Sequence, residues 1–358
     1  MIETNIFAPY SKRQPYTQLF YITEVRGWAT KQIGQYLVSN LPPQVQAVST
    51  YHFKNIKHQV IHFGAKQQYL LWENWKKLHP SNKVVLTWYH GRNSAYMTLS
   101  LIRAASRISF IHTSCSISRD FLIKRYIPEE KIVKIPLGVD LNIFRPADAG
   151  FDSYHKDVRK KLEIPLDARI IGSFQKDGNG WRKGFVPKLI KGPDILVATL
   201  EKLNKEYPIF VLLSGPSRGY VMKELDKRQI PYKHFYPKTL NELAILYHAL
   251  DVYLITSREE GGPLSLLESM ASSVPVVSTR VGMAPDIIQN GHNGYLADIE
   301  NVNELTSGVS KLLNDPELRM LIATNALQNI DQYSWKNIAQ QHYKKMYSKL
   351  LEVKKYVS

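Results

Sequence analysis

The chain has 358 residues, 44% hydrophobic and 22% charged. That composition is that of an ordinary soluble globular protein rather than a disordered one, and the length fits two domains rather than one core. The single cysteine, Cys115, cannot form an internal disulfide, and no Cys/His set has zinc spacing, so a reducing compartment is expected. There is no run of 18 apolar residues, and the first residues lack the basic start and apolar stretch of a secretory signal. The sequence therefore predicts a cytoplasmic protein, soluble or held at the inner face of a membrane by surface contact alone. The net charge of +16 is uneven: residues 1–150 carry 19 Lys+Arg against 8 Asp+Glu, the remainder 28 against 23. A basic half points to nucleic acid, a phosphate-bearing substrate or an acidic membrane, or else to a solvated surface with no partner.

In chain order, residues 18–22, 45–50, 59–63, 83–88 and 108–111 read as strands, with amphipathic helical segments at 31–39 and 67–78 between them. Pro, Gly and Asp cluster over 144–153, where a join between domains is expected. Beyond it, strands at 169–174, 209–213, 232–236, 252–255 and 274–278 alternate with helices at 192–205, 220–228 and 241–249. This alternation implies right-handed β-α-β units and parallel sheets. The fold class is therefore α/β, with two Rossmann-like doubly wound domains, 1–150 and 151–333. A ligand is expected in the cleft between their facing strand ends. The last segment, 334–358, reads as one helix with Ser334 as its N-cap, packing back on the N-terminal domain.

The stretch that carries most chemistry follows the 252–255 strand: Ser257-Arg258-Glu259-Glu260-Gly261-Gly262-Pro263-Leu264, with Glu268 further on in the helix 264–272. Pro263 suits a first helical turn. Two glycines before a helix let backbone approach a ligand, and the amides and dipole of the helix start attract an anion such as a diphosphate. Glu268 lies eight residues beyond Glu260. Two carboxylates straddling an anion site can accept bonds from two sets of hydroxyls, one on a sugar and one on a ribose. The glycines alone read as a turn; strand, Glu, Gly-Gly-Pro and second Glu together are far more specific.

That segment resembles the E-x7-E signature of retaining glycosyltransferases of the GT-B fold, family 4. Lys131–Asp140 through Phe144-Arg145-Pro146 resembles the family's domain junction, and Lys191-Gly192-Pro193-Asp194 its Lys-Gly donor motif. Residues 271–275 followed by Gly282 and 291–294 resemble its tail. The resemblance spans 60–350 and is strongest over 130–300. It implies two facing Rossmann-like domains, a nucleotide-sugar donor in the C-terminal one, an acceptor on the N-terminal one, and retention at the anomeric carbon. It also implies roles: Glu260 on the transferred sugar, Glu268 on the ribose, and Gly261, Gly262, Pro263 and Leu264 at the diphosphate. His90, just past the 83–88 strand, is implied to face the reacting sugar.

The sequence contains no Asp-x-Asp, so no metal and no cofactor is expected, and Lys191 is expected to steady the leaving diphosphate instead. Where the family places an arginine after a strand-end glycine, this chain has Ser173 after Gly172. Lys176, Arg182, Lys183 and Arg218 are candidates for the missing cation, and Arg218 also for donor binding. The family's N-terminal glycine-rich loop is reduced to Glu24–Ala29, in which Trp28 reads equally as a sugar platform or a core residue. His62 reads as structural, and His52 and His58 as surface residues.

Two other functions compete. A nucleic-acid-binding protein fits the charge, but the basic runs lack interleaved aromatics and no recognised motif is present, so no nucleic-acid partner is expected. A GT-B epimerase or phosphorylase keeps the fold and changes the reaction. The expected partners are thus a nucleotide-sugar donor, an unidentified glycan, lipid-linked or small-molecule acceptor, and peripheral contact with an anionic membrane.

Overall fold

The computed structural model describes residues 18–24, 28–90, 95–147, 151–180 and 183–351. Two parallel six-stranded sheets organise them. The first contains β1 (Leu19–Ile22), β2 (Ala47–Thr50), β3 (Val60–Phe63), β4 (Lys83–Thr87), β5 (Phe110–Thr113) and β6 (Ile132–Lys134), in the order β2-β1-β3-β4-β5-β6. The second contains β7 (Arg169–Phe174), β8 (Ile209–Ser214), β9 (Tyr232–Phe235), β10 (Val252–Ile255), β11 (Val276–Thr279) and β12 (Tyr295–Ala297), in the order β12-β11-β10-β7-β8-β9. Each sheet reverses its strand order once, between β1 and β3 in the first and between β7 and β10 in the second. Ligands of doubly wound sheets sit at such points, outside the carboxyl ends of the strands.

The helices of the first unit are α1 (Trp28–Ser39), α2 (Lys66–Leu70), α3 (Ala95–Ala104) and α4 (Ser116–Ile123). Those that follow are α5 (Phe151–Lys161), α6 (Pro193–Asn204), α7 (Gly219–Lys227), α8 (Leu240–Tyr247), α9 (Leu264–Ala271), α10 (Ala284–Ile287), α11 (Val302–Asn314), α12 (Pro316–Leu327) and α13 (Trp335–Lys345). The α5 helix is tied to the second sheet: Arg159 is 3.0 Å from Asp251 and donates to the Ala249 carbonyl. One apolar cluster runs from Tyr21 and Val85 of the first sheet through Leu137 and Val139 of the connecting segment to Tyr253, Leu267 and Met283 of the second.

Four elements differ from the sequence reading. The 67–78 stretch is not one helix: α2 ends at Leu70 and a 3-10 turn follows, with Trp72 and Glu73 at φ 49° and 51°. Tyr69 and Leu78 are both buried but nine residues apart, which in a continuous helix would put them on opposite sides. The C-terminal helix stops at Lys345, because Met346 at φ −130° breaks it and a short 3-10 turn buries Met346 and Tyr347 together; residues 352–358 lie outside the described residues. β6 and β12, three residues each, are too short for a periodicity signal.

Ser334 does cap α13, accepting from the Asn337 amide. The helix lies against α1, where Trp335 stacks on Tyr36 at 5.3 Å between ring centroids. A buried histidine cluster anchors this return. His62 of β3 bonds Tyr347 Oη (2.5 Å) and Thr87 Oγ1 (2.7 Å); His112 of β5 bonds Thr87 and the Ile135 carbonyl. His342 of α13 packs 4.5 Å from the His112 ring, its Nδ1 buried without a hydrogen-bond partner among the described residues. His62 is thus structural; His52 and His58 are exposed.

Burial holds all three imidazoles below their ordinary pKa, His112 at about 4. A histidine kept neutral in the folded state stabilises the fold above its unfolded pKa, and that contribution is lost as pH falls below about 6.5. Each should cost roughly 1.4 kcal/mol at pH 5.5. Glu268, described below, titrates with the opposite sign, so the histidine effect is read by difference. Calorimetric melting at pH 7.5 and 5.5 should show a wild-type loss that shrinks in His342→Leu; an equal loss in both proteins contradicts it.

Candidate active site

Two loops meet at the switch point of the second sheet, one after β7 and one after β10. The first ends in a 3-10 turn, Leu189–Lys191, followed by Gly192 in the left-handed region at φ 61°. A Cβ on Gly192 would lie 1.9 Å from the Thr256 carbonyl oxygen, so only glycine lets the loops touch. Thr256 Oγ1 donates back to the Gly192 carbonyl at 2.9 Å. This contact delivers Lys191 to Glu260, with Nζ 2.5 Å from Oε1. Ser257 Oγ donates to the same carboxylate oxygen at 3.0 Å, and Gln175 Nε2 holds the Lys191 carbonyl at 3.1 Å. Arg258 braces the loops from behind, bidentate on Asp194 (2.7 and 2.8 Å) and paired with Glu300.

Gly261 sits where the two units meet. A Cβ there would lie 2.3 Å from Tyr89 Cβ, and its carbonyl accepts from Ser114 Oγ at 2.6 Å. The next residue after Tyr89 is His90, close enough to the Glu260 loop to feel the charges of Lys191, Glu260 and Glu259. His90 is exposed at the cleft, yet surrounding protein and the Lys66 and Lys191 ammoniums hold its imidazole below the ordinary pKa, against the pull of Glu260 and Glu259. Lys191, Glu260 and His90 are brought together.

Pro263 is the N-cap of α9 rather than its first helical residue, and that helix start has no side-chain cap. Gly262 packs beside Leu137 and Met283. Glu268, further along α9, faces α1: it shares a cavity of about 20 Å³ with Leu264, Gln32, Tyr36, Asp140 and Trp335. Tyr247 Oη donates to Glu268 Oε2 at 2.8 Å, but burial outweighs that bond and lifts the carboxyl pKa to about 7. The cavity admits little more than a single water in this conformation.

Arg218 is a correction. Its side chain is wholly buried and does not reach the cleft. It is 3.1 Å from Asp177, and it donates to the carbonyls of Ser173, Gln175 and Ser214 and to Ser173 Oγ. Its guanidinium thus fills the space beneath Ser173 and fixes the base of the β7 loop instead of meeting a ligand. Lys183 is exposed, and Arg182 and the side chain of Trp28 lie outside the described residues. The sequence reading missed Lys188, half-buried in the same loop, its pKa lowered by burial, then Lys191 and Lys176, with Glu260 opposing. The Lys188 amide donates to the Asp177 carbonyl at 2.7 Å, so the buried Arg218–Asp177 pair also sets the position of Lys188. Among the described residues, no group of three or more His, Cys, Asp or Glu is placed to hold a metal ion, and no helix is long and apolar enough to cross a membrane.

Comparison with known proteins agrees with this architecture. The family model described as "Glycosyl transferases group 1" matches residues 183–329. A D-inositol 3-phosphate glycosyltransferase of Corynebacterium urealyticum is 31% identical over 225 residues, 59% of this chain and 50% of that protein. Its counterpart in Thermobispora bispora is 25% identical over 236 residues, 61% and 50%. The chain thus spans about half the length of the curated relatives it matches. Among solved structures, Anabaena HepE in complex with UDP-glucose superposes with a TM-score of 0.74 at 16% identity, covering 93% of this chain and 100% of that one. Sucrose-phosphate synthase from Thermosynechococcus elongatus gives 0.70 at 16% identity, covering 93% and 99%. The two sheets therefore form a GT-B fold, and residues 183–329 are similar to the group 1 glycosyl transferases.

Proposed function

We propose that the protein transfers a sugar from a nucleoside-diphosphate donor to an acceptor on the N-terminal side of the cleft, with retention at the anomeric carbon and without a metal. The observation that carries this reading is the Lys191–Glu260 pair at the switch point of the second sheet, opposite His90. A partly buried ammonium already paired to a carboxylate can exchange that partner for a diphosphate with little new desolvation. HepE, a fold neighbour, binds UDP-glucose, which favours a uridine nucleotide as the first donor to try.

In the reaction, the bond from the anomeric carbon to the diphosphate oxygen breaks and its electron pair leaves with the diphosphate. The acceptor hydroxyl oxygen bonds to the same face of that carbon, and its proton passes to the departing phosphate oxygen. Lys191 and Lys188 offset the developing negative charge, in the place of the arginine that Ser173 lacks. Glu260 accepts hydrogen bonds from the sugar hydroxyls, and Glu268 from the ribose. His90, held neutral, donates to a sugar hydroxyl. A ribose at Glu268 requires α1 and α9 to part, because their shared cavity is smaller than the ring.

With UDP-glucose as donor, turnover should persist in excess chelator and fall by at least about a hundredfold in Lys191→Ala. Turnover that stops with chelator and returns with manganese or magnesium contradicts the metal-free reading.

The two glutamates should separate kinetically. Glu260→Ala should lower kcat, whereas Glu268→Ala should chiefly weaken donor binding. Because the Glu268 carboxyl titrates near 7, the ionised acceptor it offers the ribose accumulates as pH rises. UDP-glucose affinity should therefore increase between pH 6 and 8, and Glu268→Gln should flatten that rise. A pH-independent wild-type affinity, measured by calorimetry, contradicts the assignment.

A further inference from the structure

One side of the first sheet is covered by α2, α3 and α4, which pack on it through Tyr69, Leu70, Met97, Leu101, Phe121 and Leu122. That core draws only on residues 20–132, so this helical layer is separate from the apolar cluster that joins the two sheets. Within α3, Met97, Leu101 and Ala104 recur every three or four residues and are buried, as a core-facing stripe requires. A second apolar stripe runs along the opposite side. Tyr96, Leu99 and Ile102, each three residues apart, are 53%, 56% and 47% exposed. A surface helix ordinarily turns polar side chains outward. The outward side of α3 is apolar as far as Arg103, and the helix carries no acidic residue.

The 3-10 turn that follows α2 packs beside α3 and adds Trp72, 78% exposed. Trp72 and Glu73 are consecutive left-handed residues, a conformation that disfavours large side chains. The kink serves the core by bringing Tyr69 and Leu78 inside; an indole at its tip does not. Exposed apolar side chains scattered singly are ordinary, whereas three on one helix with an indole alongside make a patch. Cations rim it. Lys76 and Lys77 are exposed on the turn, Arg103 lies in the last turn of α3, and Arg107 donates to the Leu78 carbonyl at 3.2 Å. Against these four stands one carboxylate on the same elements, Glu73, 2.5 Å from Lys76.

We propose that this face of α3 and the Trp72 turn is a docking surface for an anionic lipid bilayer. Trp72 and Tyr96 sit in the headgroup layer, Leu99 and Ile102 reach the acyl boundary, and the lysines and arginines meet lipid phosphates. Charge selects a bilayer over a protein partner. The first 150 residues carry 19 Lys+Arg against 8 Asp+Glu, and the patch repeats that excess. Protein interfaces are depleted of lysine, whereas a helix lying on a membrane pairs an apolar strip with flanking cations. Helix α3 begins shortly after His90, so docking here brings the N-terminal rim of the cleft to the membrane. The docking is independent of which donor the cleft takes.

Co-sedimentation of the intact chain with vesicles of phosphatidylcholine alone, and of phosphatidylcholine mixed with phosphatidylglycerol, tests it. The protein should pellet with the mixed vesicles at low salt, far less with the neutral ones, and less again as salt rises. Lys77→Glu combined with Arg103→Glu should weaken binding to the mixed vesicles at least about tenfold, and Leu99→Glu should weaken it too. Trp72→Gly keeps the test open to failure, because glycine accepts the left-handed conformation: binding should fall while circular dichroism shows the fold kept. Lys202→Glu with Lys205→Glu makes the same charge change on exposed positions of α6 and should leave binding intact. Negligible pelleting with both vesicles at low salt, or equal losses from the two charge pairs, overturns the proposal. So does pelleting of Trp72→Gly and Leu99→Glu at the wild-type level. A wild-type dimer in sedimentation velocity that Leu99→Glu dissociates, without vesicle binding, assigns the face to a second copy of this chain and likewise overturns it.

Discussion

The candidate site rests on one close approach of backbone to backbone. Gly192 lies so near the Thr256 carbonyl that any side chain would collide with it, and the left-handed conformation there turns Lys191 towards the β10 loop. Everything at the second switch point follows from that contact. Glu260 has a cation to meet, Ser257 and Gln175 close around the pair, and Arg258 locks the loops by gripping Asp194 and Glu300. Beneath them, the wholly buried Arg218 and Asp177 fix the β7 loop and so the direction in which Lys188 and Lys191 point. Rigid backbone contacts of this kind hold charged groups ready for a ligand, so that less reorganisation is needed when it arrives.

The same logic joins the two sheets. Gly261 touches Tyr89 and receives a hydrogen bond from Ser114; Met283 Sδ accepts from the Leu137 amide; Trp335 lies on Gly138, where a Cβ would meet its ring at 2.5 Å. The chain then returns through α13 to bury His342 against His62 and His112. The cleft walls are therefore held at both ends: glycines set the contact at the reacting centre, and an aromatic and histidine cluster sets it at the far side. His90 owes its place opposite Glu260 to this arrangement.

How much of this was legible in the sequence depends on how local each feature is. Ten strands carried enough apolar periodicity to be read, and the Glu260 to Glu268 segment was readable because strand, glycines and helix are contiguous. The kink after Leu70 and the end of α13 at Lys345 were not, because burial of Tyr69 with Leu78 and of Met346 with Tyr347 overrides helical preference. Arg218 misled because a glycine-rich turn after a strand suits a ligand equally well; its real partner, Asp177, lies in a different loop. Lys188 and Tyr247 had no local signal. Each acquires its role from groups that only the fold brings near: Lys191 and Glu268 respectively.

A crystal structure with UDP-glucose bound tests the central claim most directly, namely that the Lys191–Glu260 pair is the donor site. The account predicts the diphosphate within hydrogen-bond distance of Lys191 Nζ, the hexose hydroxyls on the Glu260 carboxylate, and the domains parted enough to admit the ribose beside Glu268. A nucleotide bound elsewhere, with the Lys191–Glu260 pair still closed at 2.5 Å, would contradict it.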